Sequence, residues 1–185
     1  METLLQQVIN GFSLGSVYAL IAVGYSLVYS ILLFSNFAHG GFLVIGGYIC
    51  YYTLAAVGNN IWVASLLAFL GAGVSAVLVE RGAYKPIRER TNVTLYLLIA
   101  SMGMSIVIEN IFVVTVGGRF RALPPVIPMT PVSVFGLATT SAFDILSLVM
   151  AMIFLAGLQV FLSTTKWGLA IRAASYDLKT VGLMG

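Results

Sequence analysis

The residues best suited to chemistry stand isolated in long apolar runs. His39, the only histidine, sits in the segment Asn36-Phe37-Ala38-His39-Gly40. Glu109 and Asn110 interrupt another apolar run, and Asp144 opens a third. The single cysteine, Cys50, lies inside apolar sequence and reads as a small buried hydrophobe. With no second histidine or cysteine, His39 and Cys50 cannot build a metal set or an internal disulfide. Neither HExxH nor GxxxxGK[ST] occurs, so the chain has no zinc-peptidase or Walker-A signature. Rings of charge and a filter sequence, the marks of an ion channel, are also missing. What remains is polar chemistry at membrane depth, where each polar group is costly and a functional candidate by default. Each has a second reading. Asn36 and His39 are either a structural polar cluster at a helix break or part of a gate or pathway. Glu109 and Asn110 are either an interhelical hydrogen-bonded contact or pathway residues. Asp144 is either an interfacial or helix-capping acid, or a pathway residue.

The elements that carry these residues follow from composition. The chain has 185 residues, 60% apolar and 8% charged, and a mean hydropathy of +1.04. A soluble domain carries about 25% charged residues. These figures exclude a soluble globular enzyme, a disordered tail and a nucleic-acid-binding domain. The net charge of +3 is too small and too dispersed to mark a polyanion partner. The start, Met1-Glu2-Thr3-Leu4-Leu5-Gln6-Gln7, has no basic residue, and the apolar run after it is too long for a signal peptide's core. From Thr3 to Val79 there is no Lys, Arg, Asp or Glu. A membrane helix needs about 20 apolar residues, so this stretch holds three spans, placed at 8–33, 41–54 and 61–79. The second is short, and the polar segment before it predicts a helix break or half-helix.

A charged connector follows with Glu80, Arg81, Lys85, Arg88, Glu89 and Arg90, in which Pro86 is expected to end any helix. A fourth span covers 93–116. Residues 117–141 contain Arg119, Arg121 and four of the five prolines, and read as an extramembrane loop with a candidate β-hairpin around Val132–Ala138. A fifth span covers 143–162. The tail 163–185 carries Lys166, Arg172, Asp177 and Lys179. With five spans, the basic connector and the basic tail fall on one side, which the positive-inside rule makes cytoplasmic. The N-terminus and the 117–141 loop then lie outside, and the basic bias of the chain is topology rather than a ligand. Gly11, Gly15 and Ala19, and again Ala64, Ala68, Ala72 and Ala76, recur at four-residue spacing, so helix backbones can approach closely there. The fold class expected is an all-α integral membrane protein, a polytopic bundle of about five transmembrane helices in one domain.

Two segments at a fixed distance carry a more specific signal. Asn10-Gly11-Phe12-Ser13-Leu14-Gly15-Ser16-Val17-Tyr18-Ala19-Leu20-Ile21-Ala22-Val23-Gly24 is followed by Asn36-Phe37-Ala38-His39-Gly40. Together they resemble the opening of the permease subunits of bacterial and archaeal branched-chain amino-acid ABC importers. Tyr84-Lys85-Pro86-Ile87-Arg88 is similar to that family's Y-[RK]-P-[LI]-R loop. Gly168-Leu169-Ala170-Ile171-Arg172-Ala173-Ala174, with Asp177 and Gly182-Leu183-Met184-Gly185, resembles its cytoplasmic coupling segment.

The resemblance implies a translocation subunit that is not itself an enzyme and binds no cofactor. It would pair with a paralogous permease subunit in the inner membrane, take substrate from an extracytoplasmic substrate-binding protein and couple to two separate ATP-binding ATPase subunits. The substrate pathway would involve Asn36, His39, Gly40, Glu109 and Asn110. ATPase coupling would fall on Gly168, Arg172, Ala173, Asp177 and Gly182. Trp167–Met184 is amphipathic enough for a short surface helix, coupling or merely interfacial. Members of the family continue past this segment with further spans, so residues 1–185 are expected to be the N-terminal portion of a permease, either a fragment or a natural truncation. Two alternatives stay open: a related permease for urea or amides, and a structural membrane protein without a transport role.

Overall fold

In hydrocarbon every backbone N–H and C=O must be satisfied within the segment, so apolar runs of this length fold as helices. The computed structural model describes residues 2–58, 60–91, 93–119, 121–124, 126, 131–134 and 138–176. Its elements are α1 (Glu2–Leu32), α2 (His39–Val57), α3 (Ile61–Val79), a π-helical turn (Glu80–Tyr84), α4 (Lys85–Arg90), α5 (Thr94–Val116), β1 (Pro131–Val134), β2 (Ala138–Ser141), α6 (Ala142–Thr164) and α7 (Lys166–Tyr176). Five helical segments are long and apolar enough to cross a membrane: Gln6–Leu32, His39–Val57, Ile61–Arg90, Thr94–Val116 and Ala142–Thr164. The chain divides into two compact units. One holds α1, the β-hairpin, α6 and α7, and the other holds Leu33–Val126.

In the first unit α1 packs on α6 through a polar latch. The Ser13 hydroxyl donates to Asp144 Oδ1 at 3.1 Å. Asp144 also closes a capping box at the start of α6. Its Oδ2 accepts from the Ser141 backbone N–H at 3.3 Å and the Ser141 hydroxyl at 2.8 Å, and Ser141 Oγ accepts from the Asp144 N–H at 3.1 Å. Of the two readings of Asp144, the cap is the one the geometry gives. Ser141→Ala removes this cap and should cost about 1 kcal/mol, read as a lowered unfolding midpoint in detergent. An unchanged midpoint would show that the cap is idle. Before α6, β1 and β2 pair antiparallel in the register Val132↔Thr140, where the hairpin was expected.

The segment Gly11-Phe12-Ser13-Leu14-Gly15 also spells GxSxG, the pattern of a hydrolase nucleophile elbow. That chemistry needs a strand-to-helix turn. Here the five residues lie in the middle of α1, and this unit contains no histidine.

In the second unit α2 and α3 form a helical hairpin. Gly58, at φ 72°, caps α2 with its N–H on Leu54 O, and Asn60 Oδ1 accepts from Val63 N–H to start α3. The alanine strip of α3 meets Gly46 of α2, where an added Cβ would sit 3.7 Å from Ala68 O and from Ala72 Cβ. Two expectations change here. The second span is not short: α2 runs for 19 residues from His39, because the break ends at Ala38 and Gly40 and Gly41 are accommodated inside the helix. Nor does Pro86 end the helix. The π turn re-registers the chain, with Lys85 N–H bonding Glu80 O, so that Pro86 enters α4 in its first turn. A missing N–H costs nothing at that position. Arg88 Nη2 donates to Glu80 Oε1 at 2.7 Å across this junction.

Candidate functional site

Three places gather the polar residues singled out in the sequence. The first is the break between α1 and α2. Asn36 is 6% exposed and Tyr84 3%. The Tyr84 hydroxyl donates to Asn36 Oδ1 at 2.7 Å, and the same oxygen accepts from the Ala38 N–H at 3.2 Å. The fully buried Ser101 hydroxyl accepts from the Phe37 N–H at 3.3 Å. Its own proton faces Leu98 O at 2.8 Å and Ser35 O at 3.3 Å. Phe34 meets the Tyr84 ring edge-on at 5.7 Å between centroids. Leu33, at φ 57°, takes the left-handed conformation. Buried backbone groups must be paired, and here the side chains of Asn36 in the break and Ser101 on α5 do the pairing, with Tyr84 of the π turn holding Asn36. His39, half-buried, is the first residue of α2, and its N–H bonds Asn36 O at 3.2 Å. Gly40 is exposed with no neighbour within 4 Å of an added Cβ, whereas Gly41 is where α2 approaches α5. A Cβ there would sit 3.0 Å from Ile108 Cδ1. Gly41 and Ser101 were not singled out by sequence reasoning, and Tyr84 only as part of the loop motif, not as a partner of Asn36.

The second place is a cavity against α2 and the C-terminal end of α5. Glu109 and Asn110 are exposed on α5. Glu109 Oε1 accepts from the Ser105 hydroxyl at 3.2 Å, and the Asn110 amide donates back to Ile106 O at 2.8 Å. Glu109 lines a cavity of about 450 Å³ with Val44, Tyr48, Phe112 and Arg119. Asn110 does not line it. Tyr48 stacks on Phe112 with centroids 4.5 Å apart and planes at 10°, within the range of favourable aromatic pairs. Asn36 and Glu109 therefore do not share a site.

The third place is the α6–α7 junction. Thr165 Oγ1 accepts from the Gly168 N–H at 2.9 Å, so the chain turns and restarts at once as α7. Gly168 is buried in contact with the backbone of Phe161 and Leu162. Trp167, Leu169 and Arg172 are exposed on α7, Trp167 at 76%, and Ala173 is half-buried. Asp177 and Gly182 lie outside the described residues.

A family model described as branched-chain amino acid transport system / permease component matches residues 7–185. The chain belongs to that family. Its fold is all-α and polytopic, as in that family, and it is a multi-pass protein of the inner membrane. The permease protein BraD of the high-affinity branched-chain amino acid transport system of Pseudomonas aeruginosa is 36% identical over 98% of this chain and 62% of its own length. Its counterpart LivH in Escherichia coli K12 is 37% identical over the same shares. A probable branched-chain amino acid permease, LivH of Methanocaldococcus jannaschii, is 25% identical over 90% of this chain and 53% of its own. The chain thus spans about 62% of the length of the bacterial permeases it matches. No solved structure matches it.

Proposed function

We propose that this chain is part of the translocation subunit of an ATP-driven importer for branched-chain or related amino acids. The observation that carries the reading is the permease family match across residues 7–185, on a chain with five helices able to cross a membrane. In this reading the chain catalyses no reaction and binds no cofactor. A second, paralogous permease completes the path, two ATPase subunits dock on the cytoplasmic side, and an extracytoplasmic binding protein supplies substrate. The N-terminus lies outside and α7 inside, following the basic residues of the connector and the tail.

Helix α7 is the coupling element in this scheme. Its exposed Trp167, Leu169 and Arg172 form a mixed apolar and basic surface, the composition of an interface anchor. The pathway roles of Asn36, His39, Gly40, Glu109 and Asn110, and the coupling roles of Asp177 and Gly182, are part of the same proposal. Arg172→Glu tests it. Copurification of ATPase subunits with the assembled transporter should fall about tenfold, the effect of some 1.4 kcal/mol, while membrane insertion is unchanged. ATPase binding at the parental level would remove the coupling role from α7. Uptake of labelled leucine into proteoliposomes, competed with urea, tests the substrate class. ATP-driven urea uptake without leucine uptake would replace it.

A further inference from the structure

The cavity at the end of α5 holds one acid and one free base, and neither is explained by the fold. Glu109 lies within a membrane-spanning helix, where an acidic side chain is costly. Among the described residues the only ion pairs are Lys85–Glu89 and Arg88–Glu80, so Glu109 has no cationic partner there. Two arginines follow α5, and they differ. Arg121 is fastened, with Nη2 donating to Val116 O at 3.2 Å and its guanidinium 5.8 Å above the Tyr51 ring. Arg119 makes no hydrogen bond or ion pair among the described residues. Gly117, at φ 88°, lets the chain turn past α5 and bring Arg119 to the wall that Glu109 also lines. The two opposite charges face one cavity without pairing with each other. Between them the wall is apolar: Val44, Phe112, Val113 and the ring of Tyr48. The volume, about 450 Å³, falls in the range of small-molecule sites.

We propose that this cavity binds a free α-amino acid with an apolar side chain. Glu109 takes the ammonium, Arg119 takes the carboxylate, and Val44, Phe112 and Val113 face the side chain. A zwitterion matches one negative and one positive group and leaves no charge uncompensated, whereas a simple cation or anion would leave one of them unmatched. Arg119 suits a carboxylate because its planar fork binds both oxygens. The identity of the ligand rests on the reading of the chain as an amino-acid permease, and the charge pattern fixes which of its groups are recognised.

The test is equilibrium binding of labelled leucine to the assembled, detergent-solubilised transporter without its binding protein. Competition uses leucine methyl ester, which lacks the carboxylate charge, and 4-methylpentanoate, which lacks the ammonium. The transporter with the parental sequence should prefer leucine to both. Glu109→Gln should weaken leucine binding about tenfold or more and lose the discrimination against 4-methylpentanoate. Arg119→Gln should weaken it similarly and lose the discrimination against the methyl ester. Retained ATPase copurification shows that both variants assemble. ATP-driven leucine uptake by the parental transporter, with binding and discrimination unaltered in both variants, would overturn this site and leave the proposed function standing. Weakened leucine binding in both variants with both discriminations intact would make the charges structural and also overturn it. Absence of leucine uptake by the parental transporter would overturn both.

Discussion

Gly168→Ala should lower leucine uptake by the assembled transporter by roughly 30- to 100-fold, with the protein still inserted in the membrane. A Cβ at this position would lie 2.7 Å from Leu162 O and closer still to Phe161 O and Leu162 Cα. All three are backbone atoms, so no side-chain rotation makes room, and α7 must move away from the end of α6. Overpacking of this kind costs about 1–3 kcal/mol, and the upper part of that range corresponds to the stated loss. The shift also breaks the bond from the Gly168 N–H to Thr165 Oγ1 and turns Trp167 and Arg172 away from their present direction. In the proposed coupling scheme, Gly168 acts by setting how closely α7 begins after α6. Thr165→Val, which removes the hydroxyl but leaves the close approach, should cost far less. Uptake at the parental rate in Gly168→Ala would show that the position of α7 is not what transmits ATPase movement.

What the sequence made legible is what repeats or acts locally. The absence of charge from Thr3 to Val79 was enough to count the first three spans, and the apolar runs at 93–116 and 143–162 gave the other two. The Ser141–Asp144 cap could be suspected from two residues three apart, because the acid stands at the first turn of an apolar run. Pro86 misled because a proline within a helical pattern reads as a stop. The π turn that lets the chain pass through it carries no spacing signal that distinguishes Glu80–Tyr84 from an ordinary helical turn. Gly41 stands beside Gly40 in the chain, and only the position of Ile108 separates a packing glycine from an exposed one. Glu109 was visible as a charge in an apolar run, but Arg119 was counted as a loop residue. The cavity that they share depends on Gly117 bending the backbone after α5.

Replacing Asn36 should expose the second kind of hidden information, a buried pair far apart in sequence. Asn36 Oδ1 serves both the Tyr84 hydroxyl and the Ala38 N–H. Asn36→Ala leaves both donors without an acceptor in a site that water does not reach, at about 1–3 kcal/mol for each. The expected loss is therefore about 3 kcal/mol in the unfolding free energy measured in detergent. Tyr84→Phe keeps the edge-on contact with Phe34 and leaves Oδ1 still bonded to Ala38, so it should cost about 1 kcal/mol. The double variant should cost less than the sum, since removing both partners leaves no stranded hydroxyl. Hydrogen bonds between membrane helices average about 0.6 kcal/mol and reach about 1.7. At 2.7 Å, with both residues buried, this one belongs at the upper end, and a coupling of about 1.5 kcal/mol is expected. The same experiment decides between the two readings of Asn36. As the anchor of the segment before α2, it should show uptake falling in step with stability across the three variants. As a pathway residue, it should lose uptake in Asn36→Ala while Tyr84→Phe, equally deprived of the bond, transports normally.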